Sequence, residues 1–143
     1  MALAVARSMR SHQELFAATG AVHAAAAFDA SGLVLLVRED VGRHNAVDKI
    51  VGRLLLDRRL PAHDLGLFVS GRASFEMVQK AWAAGFGTIV AISAPTSLAV
   101  QTARRANLRL IGFVREGAAN IYAPSVSKPD GARTSDPAVA SAP

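Results

Sequence analysis

The feature that most constrains the fold is a repeated alternation of short apolar runs with helical patterns. Apolar runs at residues 21–28 and 33–37 flank the turn 29–32, Asp-Ala-Ser-Gly, which is typical of a β-hairpin. Further apolar runs at 65–69, 88–92 and 108–114 alternate with helical periodicity at 43–57, 75–84 and 97–106. Preceded by a helical pattern over 7–18, this order predicts an α/β three-layer sandwich with a mixed, largely parallel sheet.

The length and composition suit one folded domain followed by a tail. The chain has 143 residues, of which 51% are hydrophobic, enough for one core. Residues 124–143 are mostly Pro, Ser, Ala, Gly and Asp, so we expect a domain over 1–123 and a disordered tail over 124–143. No apolar run reaches the roughly 18 residues of a membrane span, and Arg7 interrupts the apolar start before it could form a signal peptide. We therefore expect a soluble cytoplasmic protein with no membrane partner.

The charge balance favours an anionic partner. The net charge is +5, and the charged residues of the last twenty positions cancel, so the excess lies on the folded part. A nucleotide, a phosphate-rich cofactor or a nucleic acid would suit such a domain. Basic residues form no block and are not interleaved with aromatic residues, which argues against a nucleic acid. The chain has no cysteine and no pair of histidines at metal-ligand spacing, so we expect no metal site.

Polar residues gather at three strand-to-helix turns, 39–45, 70–74 and 93–97. In open sheets of this kind, ligands bind at the carboxyl ends of the strands, where helix N-termini offer unpaired N–H groups. We predict a cofactor-binding or anion-binding site formed by Asp40, Gly42, Arg43, His44, Asn45, Ser70, Gly71, Arg72, Ser74, Ser93 and Thr96. The arginines could each hold a phosphate with two hydrogen bonds. The alternative is that Asp40, Ser74 and Thr96 only cap helices and that the arginines are solvated.

The histidines and the single tryptophan differ in their sequence surroundings. His23 precedes an apolar run, so it is either a core residue or a ligand-binding residue. His44 lies beside two candidate binding residues and is the stronger candidate, whereas His12 and His63 fit surface positions. Trp82 fits the core face of a predicted helix.

Several long motifs resemble the FdhD formate dehydrogenase accessory family. They are 16–25 (FAATGAVHAA), 38–49 (REDVGRHNAVDK), 70–80 (SGRASFEMVQK) and 93–99 (SAPTSLA), with 112–113 and 120–122 also fitting. The resemblance covers roughly residues 8–123. It implies a cytidine-deaminase-like fold and a sulfurtransferase function. Members of the family take sulfur as a persulfide from a cysteine desulfurase. They pass it to the molybdenum bis(molybdopterin guanine dinucleotide) cofactor, which then becomes active in formate dehydrogenase.

The same resemblance implies where the cofactor binds. Its guanine nucleotide halves would occupy this domain, with GDP as a mimic, and the family's habit suggests a homodimer. The family's cofactor-binding loop corresponds to Phe113, Val114, Arg115, Glu116, Gly117 and Ala118. The family usually has a basic residue at the last of these positions, and Arg115 is the candidate to compensate for Ala118.

The absence of cysteine is the larger departure from the family pattern. Members carry a Cys-x-x-Cys loop upstream of the first motif seen here, and this chain has none. Either the chain is a fragment of a longer protein or it is a cofactor-binding half that works with another polypeptide. We expect no catalytic residue within it and no sulfur transfer by it in isolation. The alternative function is a nucleotide- or phosphate-binding module without sulfurtransferase activity. A deaminase-type hydrolase is disfavoured because the turns carry Arg and Gly where zinc ligands would be needed.

Overall fold

The computed structural model describes residues 1–123, so the tail predicted over 124–143 lies outside the described residues. Within 1–123 the helices are α1 (Ala2–Met9), α2 (Glu14–Thr19), α3 (Arg43–Leu56), α4 (Phe75–Ala83) and α5 (Ser97–Arg105). The strands are β1 (His23–Phe28), β2 (Val34–Asp40), β3 (Gly66–Val69), β4 (Thr88–Ala91), β5 (Arg109–Arg115) and β6 (Ala118–Ala123). A short 3-10 turn, Arg10–His12, follows α1.

The described strands form one mixed sheet in the order β2-β1-β3-β4-β5-β6. The pairs β3–β4 and β4–β5 are parallel, whereas β1–β2, β1–β3 and β5–β6 are antiparallel. Four of the six strands, β2 to β5, consequently run in one direction, although only two of the five neighbouring pairs are parallel. The predicted mixed α/β sheet is confirmed. Parallel pairing is confined to β3, β4 and β5, because β1 runs antiparallel to both of its neighbours and β6 runs antiparallel to β5.

Helices cover both faces of the sheet, which gives the predicted three layers. On one face α3, α4 and α5 pack against β1, β3, β4 and β5 through side chains such as Ile50, Met77 and Leu110. On the other face α1 packs through Val5 and Met9. Strand β1 serves both cores, since Ala25 and Ala27 face the three helices and Ala24 and Ala26 face α1. Alanine at these positions lets the helices approach the sheet closely.

The predicted single helix over 7–18 is wrong in its bounds. Helix α1 begins at Ala2, and the helical conformation ends at Gln13, whose ψ is 68°. The physical reason is tertiary packing: Val5 and Met9 are one turn apart and both bury against the sheet, so the apolar start of the chain joins the helix. Helix α2 is a separate element with no buried residue.

The edge strand β2 runs three residues past its predicted end. Backbone pairing of residues 38–40 with residues 23–25 of β1 keeps the first part of the polar motif extended. The helical part of that motif begins only at Arg43, which places Asp40 at the carboxyl end of a strand.

Trp82 was wrongly predicted to lie on the core face of its helix. Its side chain is 57% exposed, whereas Met77, Val78 and Ala81 form the buried face of α4. One residue beyond Ala81 the helix has turned by about 100°, which points Trp82 outward.

Candidate anion-binding site

Two of the three polar turns lie side by side at the carboxyl ends of the parallel strands. The N–H of Thr96 donates to the carbonyl oxygen of Ala73 at 3.1 Å, and the N–H of Ser93 faces the carbonyl oxygen of Gly71 at 3.4 Å. Ala73 and Pro95 form an isolated parallel bridge. The two turns are close together because they follow β3 and β4, which are adjacent and parallel.

The β5 strand approaches the second of these turns closely. A Cβ built on Gly112 would lie 3.0 Å from Pro95 Cδ and 3.2 Å from the carbonyl oxygen of Ser93, so the approach depends on glycine. The N–H of Phe113 then donates to the same Ser93 oxygen at 3.3 Å. This contact ties the start of the predicted cofactor-binding loop to the turn at 93–97.

The larger cavity has a volume of about 860 Å³ and lies between α1 and the ends of β3, β4 and β5. Apolar side chains line its inner wall, among them Phe68, Ile92 and Val114. Three arginines, Arg7, Arg10 and Arg115, also line it. Of the predicted site residues, it contains Ser70, Ser93, Val114, Arg115, Glu116 and Gly117. The cavity therefore combines apolar surface with positive charge.

One carboxylate of this larger cavity is already paired. Glu116 Oε1 accepts from Arg10 Nη1 at 3.1 Å, and both side chains are largely exposed. An exposed pair of this kind contributes little stability, at most about 1 kcal/mol. It is weak enough for a bound anion to compete for Arg10.

The smaller cavity, of about 350 Å³, is lined by His23, Arg43, Gly71, Arg72 and Ser93. None of these five residues is a carboxylate, and two of them carry guanidinium groups. His23 and Ser93 also line the larger cavity, so the two cavities adjoin at these residues. The arrangement is suited to binding an anion, because guanidinium groups form strong charge-assisted hydrogen bonds with phosphate.

Gly71 leaves room for a ligand beside the arginines, whereas Ser74 lines neither cavity. A Cβ built on Gly71 would lie 3.6 Å from His23 Nδ1 and 3.7 Å from Arg43 Cδ, so the absent side chain leaves a gap about the size of a methyl group between these groups. Ser74 stands at the N-cap of α4 but its hydroxyl makes no cap hydrogen bond. Ser74 Oγ is buried without a hydrogen-bond partner of good geometry in residues 1–123, although it helps to lower the pKa of the Glu76 carboxyl.

The carboxylate of Asp40 binds groups of its own loop and of α3. Asp40 Oδ1 accepts from the N–H of Gly42 at 2.8 Å and from Asn45 Nδ2 at 3.0 Å, while Oδ2 lies 2.7 Å from Lys49 Nζ. These partners, with Lys49 the strongest, lower the pKa of Asp40 to about 2. The carboxylate thus orders the loop before α3, but it does not cap the helix as the alternative prediction held, because the N-cap is Gly42 and no side chain caps α3.

Other predicted residues are placed outside both cavities. Thr96 caps α5, since its Oγ1 accepts from the N–H of Ala99 at 3.2 Å. Phe113 packs against Tyr122 with ring centroids 6.4 Å apart, and Ala118 begins β6. The predicted residues that line neither cavity are Asp40, Gly42, His44, Asn45, Ser74, Thr96, Phe113 and Ala118.

The structure adds cavity residues that the sequence prediction did not select. Arg7 and Arg10 come from α1 and the turn after it, and Gln13 and Phe16 from the start of α2. Arg7 and Arg10 are three residues apart and share a side of the helix, which was the available signal. His23, left open between core and ligand-binding roles, lies where the two cavities adjoin.

Two further properties hold for residues 1–123. None of the helices in this range is long and apolar enough to cross a membrane. The His, Asp and Glu side chains in the same range form no group of three or more that could hold a metal ion.

Comparisons with known proteins agree with the motifs and the fold. A protein from Nocardia farcinica named sulfur carrier protein FdhD is 55% identical over 115 residues, covering 80% of this chain and 41% of that protein. Proteins of the same name from Bordetella petrii and Sulfurisphaera tokodaii are 57% and 53% identical, over 81% and 80% of this chain. The chain spans less than half the length of these curated relatives, 41% and 45% of the latter two.

A solved structure shows the same fold. The crystal structure of a formate dehydrogenase accessory protein from Desulfotalea psychrophila matches with a TM-score of 0.77 and 30% identity. The match covers 85% of this chain and 52% of that one. The likeness to cytidine deaminases stays a prediction. The sequence model of a family described as FdhD/NarQ matches residues 2–127. The chain therefore belongs to the FdhD/NarQ family.

Proposed function

We propose that this chain is the cofactor-binding part of a sulfurtransferase that matures molybdenum bis(molybdopterin guanine dinucleotide) for formate dehydrogenase. The observation that carries the proposal is the smaller cavity, which Arg43, Arg72 and His23 line together with Gly71. The names of the relatives, sulfur carrier protein and formate dehydrogenase accessory protein, support the same function.

The residues present are compatible with a guanine dinucleotide. Arg43 and Arg72 would bind phosphate groups with paired hydrogen bonds, and Gly71 would let a phosphate approach the backbone. The apolar wall of the larger cavity would take a flat ring, and Arg7 and Arg115 would balance further negative charge. When bound, the cofactor supplies the molybdenum atom that accepts sulfur. The chain itself binds and orients.

The sulfur donor must lie outside these 143 residues. Because the chain has no cysteine, it cannot hold a cysteine persulfide. A cysteine desulfurase and a further polypeptide segment would supply the persulfide, and formate dehydrogenase would receive the matured cofactor. Incubation with the desulfurase and radioactive cysteine should leave the chain unlabelled after denaturing electrophoresis, whereas a labelled chain would contradict this division of roles.

Calorimetric titration with GDP tests the binding site. We expect the wild-type chain to bind GDP, and Arg43→Ala or Arg72→Ala to weaken binding by about 10- to 150-fold, since a hydrogen bond to a charged group contributes about 1.5–3 kcal/mol. Arg59→Ala is the matched control. Arg59 is exposed and follows the C-terminal end of α3, away from the end that carries Arg43, so its loss should change the Kd less than about twofold.

Two outcomes would refute the binding site. One is a folded wild-type chain that does not bind GDP. The other is equal weakening by Arg59→Ala and Arg43→Ala, which would mean that GDP responds only to the overall positive charge.

The second candidate function is nucleotide or phosphate binding without sulfur transfer, which the absence of cysteine favours. Complementation separates the two functions in cells that lack their own FdhD-type protein. Under the first proposal, this chain together with the cysteine-bearing part of a relative restores formate dehydrogenase activity. Unrestored activity, with both parts present and GDP binding intact, favours the second candidate.

A further inference from the structure

We infer that His23 contacts the bound phosphate directly and takes up a proton when the phosphate binds. The inference rests on the proposed function, because it assumes that the smaller cavity holds phosphate. It assigns a specific role to a residue that its sequence surroundings left open between a core position and a binding position.

The backbone around His23 is fixed against the turn that carries Gly71. The N–H of Ala24 donates to Ser70 Oγ at 2.9 Å, and the N–H of Ser70 donates to the carbonyl oxygen of Ala24 at the same distance. His23 is the first residue of β1 and pairs with Asp40 of β2 on its other side. The imidazole is therefore presented from a strand held on both sides.

The imidazole and the Arg43 side chain both lie next to Gly71. A Cβ built on Gly71 would lie 3.6 Å from His23 Nδ1 and 3.7 Å from Cε1, and 3.7 Å from Arg43 Cδ. A ligand atom seated over Gly71 would touch both side chains. Because His23 lines both cavities, a molecule that extends from one into the other would pass the imidazole.

The ring nitrogens of His23 are available to a ligand. Within residues 1–123 the His23 side chain makes no hydrogen bond, whereas His12 Nδ1 lies 2.8 Å from the carbonyl oxygen of Ser8. A half-buried imidazole with no partner in the described part of the chain can serve as a donor to phosphate.

Seven charged residues line the two cavities together with His23 or pair with it in the sheet. They are Arg43 from α3, Arg72 from the turn before α4, Arg7 and Arg10 from α1 and its following turn, Arg115 and Glu116 from the β5–β6 turn, and Asp40 from β2. Both carboxylates have cationic partners of their own, Lys49 for Asp40 and Arg10 for Glu116. A phosphate would bring a further negative charge close to the ring, and an anion within about 4–6 Å favours the protonated imidazole.

NMR titration of the histidine ring signals tests the inference. The pH is varied with the full chain alone and with the chain saturated with GDP, and His23→Gln assigns the signal. We expect GDP to raise the titration midpoint of His23 by about one pH unit or more. His12 and His63 are exposed and outside both cavities, so their midpoints should stay within about 0.2 units.

Calorimetry in buffers of different ionisation enthalpy gives an independent readout. Wild-type chain should take up about half a proton more per GDP at pH 7.5 than the His23→Gln variant, in which titration of the GDP phosphate is unchanged. Glutamine keeps an N–H donor, so the variant should still bind GDP, within about tenfold of wild type.

The possible outcomes separate the two proposals. If GDP binds but the His23 midpoint does not move, or if His23→Gln takes up as many protons as wild type, the role of His23 is overturned and the binding site stands. If the folded wild-type chain does not bind GDP, the proposed function fails and the inference fails with it.

Discussion

Replacing Gly71 with alanine adds one methyl group to the floor of the smaller cavity. The new Cβ would lie 3.6 Å from His23 Nδ1 and 3.7 Å from Arg43 Cδ, which are ordinary van der Waals distances. The φ angle of Gly71 is not in the positive region, so alanine can adopt its backbone conformation. The free energy of unfolding should therefore change by less than about 1 kcal/mol.

The same methyl group should weaken GDP binding strongly. It occupies the space between the imidazole and the Arg43 side chain, where we propose that a phosphate binds. If the methyl group moves a phosphate oxygen outward by about 1 Å, a hydrogen bond of about 2.9 Å lengthens to about 3.9 Å. At that distance it is no longer a hydrogen bond. The loss of one charge-assisted bond, about 1.5–3 kcal/mol, corresponds to a Kd about 10- to 150-fold higher.

The assay pairs GDP calorimetry with thermal unfolding of the same samples. Gly52→Ala is the matched control, since Gly52 lies inside α3 and a Cβ there would meet nothing within 4 Å. That control should bind GDP like wild type and be more stable by about 0.5–1 kcal/mol. If Gly71→Ala is folded and binds GDP with the wild-type Kd, the proposed position of the phosphate is refuted.

Three further predictions concern the framework of the site. Gly66→Ala should destabilise the fold by about 1–3 kcal/mol in urea unfolding, because its Cβ would lie 2.1 Å from Phe28 Cζ. Phe28→Leu in the same chain should recover part of that loss. Glu39→Ala removes the carboxylate that accepts from the N–H groups of Leu15 and Phe16 at 2.9 and 3.0 Å. Amide hydrogen exchange at these two residues should then be roughly tenfold faster. Asp40 has its pKa lowered from 3.8 to about 2, so it stabilises the fold above pH 3.8, and this contribution disappears as the pH falls towards 2. The urea midpoint should fall over that range more in wild type than in Asp40→Asn.

Each of these predictions has an outcome that contradicts it. A Gly66→Ala variant as stable as wild type would mean that Phe28 can move without loss of packing. Unchanged exchange in Glu39→Ala would mean that the carboxylate does not hold α2. Equal acid sensitivity of wild type and Asp40→Asn would mean that the hydrogen bonds of Asp40 do not stabilise the native state.

Much of the fold was predictable because its elements have strong local patterns. The helical periodicity before Pro61 matches α3, and the turn at 29–32 joins β1 to β2 as predicted. The N-terminal segment was not predictable in detail, because α1 is defined by Val5 and Met9 packing on the far face of the sheet. The prediction for Trp82 was wrong for a related reason: a ten-residue pattern does not show where the buried face of a helix ends.

The candidate site was partly predictable from the order of the strands. Arg43, Gly71, Arg72 and Ser93 each follow a strand that ends at the same edge, so the topology brings them together. Asp40 shows the limit of such reasoning. A carboxylate before a helix N-terminus can accept hydrogen bonds from its own chain or from a ligand, and spacing alone does not separate the two. The placement of Arg7 and Arg10 depends on how α1 packs, which the local sequence does not show.

The central claim is that the phosphates of a guanine nucleotide bind at Gly71 between two arginines. A crystal structure of this chain with GDP tests it most directly. We expect phosphate oxygens within about 2.7–3.2 Å of the guanidinium nitrogens of Arg43 and Arg72, with His23 also in contact. A well-ordered GDP whose phosphates lie elsewhere, away from both arginines, would contradict the account.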